Sequence, residues 1–217
     1  MISMNLETIN PHILKILIAS KDIDSINAIS NRISLSYGWT HKWIKELGDI
    51  GVFKLTRMNT YLNKNNYFYK TTLRYIKNIL SKDINFYYDG LSLFGIKYCF
   101  TQTDSVFIWT KGGYNISRFR DFYPIFIKIK KQDKKLFEYY CKKLNLKINK
   151  KRKIFYKVIY LDDFKVDYCD GIPVDSLNDT IKFMKKYIYN FEPALEMVGE
   201  LYGKKINIKY KEALTNV

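Results

Sequence analysis

Residues 36–55 constrain the fold more than any other stretch of the chain. Thr40, Ile44 and Leu47 fall on one helical stripe, with Tyr37, Trp39, His41, Lys42 and Lys45 mostly around the outer faces. Gly48 to Gly51 end that helix, and Val52-Phe53-Lys54-Leu55 then alternates as a strand. Upstream, Ile13, Leu14, Leu17 and Ile18 give Pro11 to Ala19 a one-sided helical pattern. Ile26, Ile29 and Ile33 mark a second helix, capped by Asp22 or Asp24. Downstream, the Asn-rich stretch 59–66 reads as a turn and Tyr67-Phe68-Tyr69 as a returning strand. Thr71 or Thr72 then caps a closing helix from Leu73.

Three helices followed by a two-stranded hairpin is the order of a winged helix-turn-helix. Ile44-Lys45-Glu46-Leu47-Gly48-Asp49-Ile50-Gly51-Val52 resembles that superfamily's signature, an apolar and leucine pattern with a glycine before the wing. Gly51 suits the left-handed turn by which a strand leaves the helix. The resemblance covers roughly the first third of the chain. It implies a recognition helix in the major groove of duplex DNA, with cationic side chains on phosphates. Ser36, Tyr37, Thr40, His41, Lys42 and Lys45 would lie at or near the groove, and Arg57 and Lys64 on the wing beside the backbone. Trp43 reads instead as a core aromatic, because it neighbours the inward stripe. Some winged helices bind protein, and the basic helix and wing here favour DNA.

Charge points the same way. The chain has 37 basic and 21 acidic residues, a formal net charge of +16 at pH 7, which favours an anionic partner. Lysine outnumbers arginine 31 to 6, as AT-rich coding produces, so the choice of lysine says little about the site. Position says more. Residues 1–80 hold eleven basic and five acidic side chains, and residues 128–157 hold thirteen and two. In the second zone Lys128 and Lys130 point outward from an alternating strand, and Lys150, Lys151, Arg152 and Lys153 crowd one turn. This zone is either solvated surface or a second DNA-facing surface.

Cys99, Cys141 and Cys169 have no short spacing, and with only His12 and His41 beside them neither a disulfide scaffold nor a metal site is expected. No cofactor is implied. No run of about eighteen apolar residues predicts a membrane span, and the run from Ile13 to Ala19 lacks the basic flank of a secretory signal. The expectation is a soluble cytoplasmic protein with no membrane partner.

The polar break Ser81-Lys82-Asp83 predicts a domain boundary, giving 1–80 and 84–217. Aromatic crowding from Ile84 to Gly95 argues against an exposed helix there. Beyond it, Ser105 to Thr110, Ile125 to Lys130 and Ile154 to Leu161 read as strands. Asp133 to Leu144, Ser176 to Ile188 and Pro193 to Tyr202 read as helices, and Ile206 to Ile208 as an edge strand. The fold class is α+β, a winged helix followed by an α/β domain with a small mixed sheet.

Tyr87-Tyr88-Asp89-Gly90-Leu91-Ser92-Leu93-Phe94-Gly95-Ile96, Thr101-Gln102 and the strand Val106 to Thr110 resemble the opening of the C-terminal domain of AbiEi-type antitoxins. Ile172 to Ile181 resembles a later segment of the same family, which pairs that domain with an N-terminal winged helix. Here Leu93 or Phe94 replaces an Ala, the His before the Gly is absent, and Asn178 or Asp179 replaces a Glu. The resemblance implies an autoregulating DNA binder whose C-terminal domain opposes a nucleotidyltransferase-like toxin. The alternative is a Mg²⁺-dependent nuclease, since Asp163-Phe164-Lys165 has the second half of such a site. No upstream Pro-Asp accompanies it, and the Gly-Ser with paired aspartates that a nucleotidyltransferase would need is absent too, so no catalytic residue is assigned.

Overall fold

The computed structural model describes residues 10–116, 118–119, 121–150 and 153–206. The chain is mixed α+β with a three-stranded and a five-stranded sheet. It forms two compact units, Met1–Ile96 with Lys135–Lys147, and Lys97–Lys134 with Ile148–Val217.

The first unit begins with α1 (Pro11–Ala19), β1 (Ile23–Asp24), α2 (Ile26–Ile33) and α3 (Tyr37–Asp49). The hairpin β2 (Phe53–Leu55) and β3 (Thr60–Leu62), α4 (Tyr67–Asn78) and α5 (Ile84–Gly90) follow. Small polar residues start the first four helices: Asn10, Ser25, Ser36 and Asn66 each accept a backbone N–H from the first turn. Ser25, not Asp22 or Asp24, caps α2, because Asp24 is committed to a buried ion pair with Arg32. Ile29, Ile33, Thr40, Ile44 and Leu47 are buried where α2 and α3 meet the apolar face of α1. Gly51, at φ +74°, turns the chain out of α3, and Val52 N–H donates to Leu47 O at 2.8 Å. The sheet order is β1-β3-β2, antiparallel throughout, with Ile23 and Lys54 both opposite Tyr61.

The hairpin differs from expectation. Its second strand is Thr60–Leu62, and Tyr67-Phe68-Tyr69 begins α4. Asparagine chemistry decides this. Asn63 and Asn66 donate side-chain amides to Gly51 O at 3.1 Å and Ile50 O at 2.7 Å, and Asn66 also caps α4. The Asn-rich stretch is therefore a strand-to-helix junction, while the tight loop Thr56–Asn59 closes the hairpin through Thr56. Neither Thr71 nor Thr72 caps a helix; both lie within α4.

The second unit contains β4 (Tyr98–Phe100), α6 (Thr103–Trp109), β5 (Phe122–Lys130), β6 (Lys153–Leu161), β7 (Asp167–Cys169) and β8 (Ile172–Val174). Its sheet, in the order β6-β5-β4-β8-β7, mixes parallel and antiparallel pairs. Asp170 and Gly171, both at positive φ, make the two-residue loop of the β7–β8 hairpin. Expected as a strand, Ser105 to Thr110 lies in α6 and its cap. It is buried nearly all round, and a short buried run carries no periodicity to tell helix from strand. Val106 to Thr110 therefore departs from the strand that the antitoxin resemblance implies.

Along the chain, α7 (Lys134–Leu144) links β5 to β6. The helices α8 (Leu177–Lys186) and α9 (Ile188–Tyr202) complete the second unit, and α9 starts five residues before the expected Pro193. Ile206 is not in a strand, and residues 207–208 lie outside the described residues.

From Lys135 onward α7 belongs to the first unit, so the expected cut at 81–83 falls inside that unit. The reason is burial: Phe94 stacks on Tyr140 at 4.7 Å, and Phe137, Tyr140 and Leu144 are inaccessible. Lys143 buries its ammonium against the end of α1. It donates to Leu17 O, Ile18 O and Ser20 O at 2.7, 3.0 and 2.6 Å, occupying all three of its N–H groups. These are carbonyls a helix C-terminus leaves unpaired. Among the described residues no helix is long and apolar enough to cross a membrane.

Candidate nucleic-acid interface

With about 3.6 residues per turn, the buried stripe of α3 fixes what its other faces offer. Opposite Thr40, Ile44 and Leu47 lie Gly38, Lys42, Lys45 and, at the far end, Asp49. Tyr37 and His41 occupy one flank, stacked with ring centroids 6.0 Å apart. Trp39 and Trp43 occupy the other, and the Lys42 ammonium lies 5.1 and 5.3 Å from their ring centroids. Tyr37 and Trp39 are about half exposed, at 54% and 53%. Trp43 is half-buried and stacks on His12, 6.3 Å away, in keeping with a core aromatic.

Electrostatics favours an anion at the start of α3. Lys42 and Lys45 are exposed, and among the described residues neither makes an ion pair with a carboxylate. The helix dipole adds positive potential at the same end, while Glu46 and Asp49 sit in the last turns. Ser36 is exposed as the N-cap, and its hydroxyl accepts from Trp39 N–H at 3.4 Å. A small concavity lined by Ser36, Gly38, Trp39 and Lys42 opens there. Arg57 is exposed in the hairpin loop beside Met58, which is 80% exposed. Lys54 on β2 is exposed as well, and was not among the expected cations.

Two of the expected groove and wing residues lie elsewhere. Thr40 is fully buried and donates its hydroxyl to Ser36 O at 3.0 Å, so it shapes the helix start and reaches no ligand. Lys64 lies beyond β3, at the end of the hairpin away from the loop, and pairs with Asp22 at 2.6 Å. The strand register that would have carried it to the wing does not form.

In the second unit the expected cations are dispersed among partners. Lys128 and Lys130 do stand opposite the buried Ile125, Ile127 and Ile129, but each meets a carboxylate. Lys128 pairs with Asp175 at 2.6 Å, and Lys130 with Asp163 at 3.0 Å. Lys150 is exposed ahead of β6 and Lys153 is exposed as its first residue, whereas Lys151 and Arg152 lie outside the described residues. Asp163 also accepts from Lys97 at 3.0 Å, and these lysines hold its carboxyl well below the usual range. Asp162 is paired with Lys131 at 2.9 Å. These carboxylates already have cationic partners, and among the described residues no three His, Cys, Asp or Glu side chains gather as a metal site.

Sequence patterning did not reveal a further set of cations: Lys70, Arg74 and Lys77, spaced one turn apart on α4. The signal is visible only when the helix starts at Tyr67 and not at Leu73. Against protein-family models, curated proteins and solved structures the chain finds no match.

Proposed function

We propose that the first unit is a winged helix-turn-helix that binds duplex DNA, with α3 as its recognition helix and the β2–β3 hairpin as its wing. The observation that carries this reading is the cationic face of α3, where Lys42 and Lys45 have no carboxylate partner among the described residues, set in the order helix, strand, helix, helix, hairpin with a β1-β3-β2 sheet. On this reading Lys42, Lys45 and Arg57 meet phosphates, and Ser36, Tyr37 and His41 approach base edges. The test is a gel-shift series over salt concentration. Lys42→Ala with Lys45→Ala should weaken binding and reduce the slope of log K against log salt by about two, one for each phosphate left without its lysine. Unchanged affinity and slope would remove α3 from the interface.

Transcription regulation, and an antitoxin role against a nucleotidyltransferase-like partner, go further. They rest on the segments 87–102 and 172–181, because Val106 to Trp109 is helical and not the strand of the resemblance. Co-expression with a nucleotidyltransferase encoded beside this chain, followed by growth measurement, tests that role.

A further inference from the structure

The helices α4 and α7 flank an open cleft of about 650 Å³ within the first unit. Its walls are tied together, since the Asn145 side chain donates to Lys77 O at 3.2 Å just beyond the end of α7. Lys70, Arg74 and Lys77 line it from α4, and Lys142 from α7. Among the described residues none of these four pairs with a carboxylate. The other two cations are already engaged: Lys64 by Asp22, and Lys143 by three carbonyls. Asp22 is further occupied by the Tyr139 hydroxyl, which donates to it at 3.3 Å.

Four like charges around one concavity repel each other, and a multiply charged anion relieves that repulsion. Leu73, Tyr69 and Tyr139 add an apolar and aromatic surface beneath the cations. The volume lies within the range of small-molecule pockets, roughly 300–1,000 Å³. The cleft also includes Lys64, at the hairpin end away from the loop Thr56–Asn59.

We infer that this cleft binds the phosphates of a small polyphosphorylated molecule, of the size of a nucleoside di- or triphosphate. Lys70, Arg74, Lys77 and Lys142 bind the phosphates, and the tyrosines with Leu73 bind the remainder. Arg74 supplies the bidentate donor pair. This does not depend on the DNA reading, because it concerns other residues and other helices.

Calorimetric titration of the full chain, with inorganic tripolyphosphate and with ATP as probes, tests it. Both should bind saturably at one site, with ATP several-fold tighter. Arg74→Gln and Lys142→Gln should each weaken binding about tenfold or more, the scale of removing a charge-assisted hydrogen bond. Both variants should melt with the wild type, since both side chains are exposed, and should shift DNA as the wild type does. If they instead weaken duplex binding and lower its salt slope, with tripolyphosphate no better than sulfate at equal ionic strength, the cleft extends the DNA surface and the inference fails. It fails equally if tripolyphosphate never saturates and the variants change nothing. A chain that binds tripolyphosphate but no DNA would retain this inference and overturn the other.

Discussion

Lys143 ties its own protonation to the stability of the first unit. Burial pulls its ammonium down from 10.5 to about 7, with Asp22 and Asp24 acting against that pull. The unfolded chain keeps the proton to higher pH than the folded chain does. Between about pH 7 and 10.5 the unfolded state therefore binds more protons, and stability rises with pH. The ceiling is about 1.4 kcal/mol per pH unit. Burial acts in the opposite sense on Cys99 and Cys141, raising both thiols from 9.0. Above that value the unfolded chain ionises them first, and stability falls. Urea midpoints of the reduced full chain should therefore peak at about pH 8–9, and Lys143→Met should flatten the rise on the acid side. A second residue, Gly38, faces outward on α3 in helical conformation, and a Cβ there would meet nothing within 4 Å. Gly38→Ala should then raise stability by up to about 1 kcal/mol. If a duplex seats on α3, the added methyl should lower DNA affinity several-fold. A melt paired with a gel shift separates the two effects, and unchanged affinity would mean that DNA stays clear of the second helical residue.

Among the elements, α1, α2 and α3 were legible because each has one buried stripe at helical spacing. The long strand β5 was legible because it alternates from Ile125 to Lys130, and β6 because its run is rich in β-branched and aromatic residues. Two kinds of element were not. The start of α4 was hidden because Tyr67-Phe68-Tyr69 has strong strand propensity, and only the Asn66 cap and the Asn63 junction overrule it. The helix α6 was hidden because burial on nearly every side erases its period. The site followed the same pattern. Lys42 and Lys45 lie on the outer face of α3 as expected, because its buried stripe is legible, whereas the loop that carries Arg57 closes at Thr56–Asn59, upstream of the expected turn at 59–66. Lys64 was misplaced, and Lys70, Arg74 and Lys77 were missed, through one error in the start of α4. Lys128 and Lys130 were read correctly as outward, but their partners Asp175 and Asp163 are distant in sequence and no local pattern announces them.

At the scale of the whole molecule, the first unit is not a contiguous piece of chain. A fragment ending at residue 80 would lack Phe94, Phe137, Tyr140 and Lys143. It would leave Leu17, Ile18 and Ser20 carbonyls without their donor and Arg32 without the Tyr140 hydroxyl, 3.0 Å away. Water can replace the lost hydrogen bonds, but each large apolar side chain taken from the core forfeits about 1.5–3 kcal/mol of burial, against a total of about 5–15 kcal/mol for a typical domain. Residues 1–80 alone should show helical circular dichroism without a cooperative melt, while the full chain melts cooperatively. A sharp transition in the fragment would mean that α7 is dispensable.

Interleaving also sets a clock on biosynthesis. A protein made from its N-terminus usually folds its first domain while the second is still being translated. Here the final helix of the first unit waits for residues 97–134 to be polymerised, a delay of roughly 2–8 s at ordinary elongation rates. During that interval the end of α1 and the ring of Phe94 have no cover, and the nascent chain is open to chaperones and proteases. Slow codons between 97 and 134 would lengthen that exposure, because every one of them delays α7.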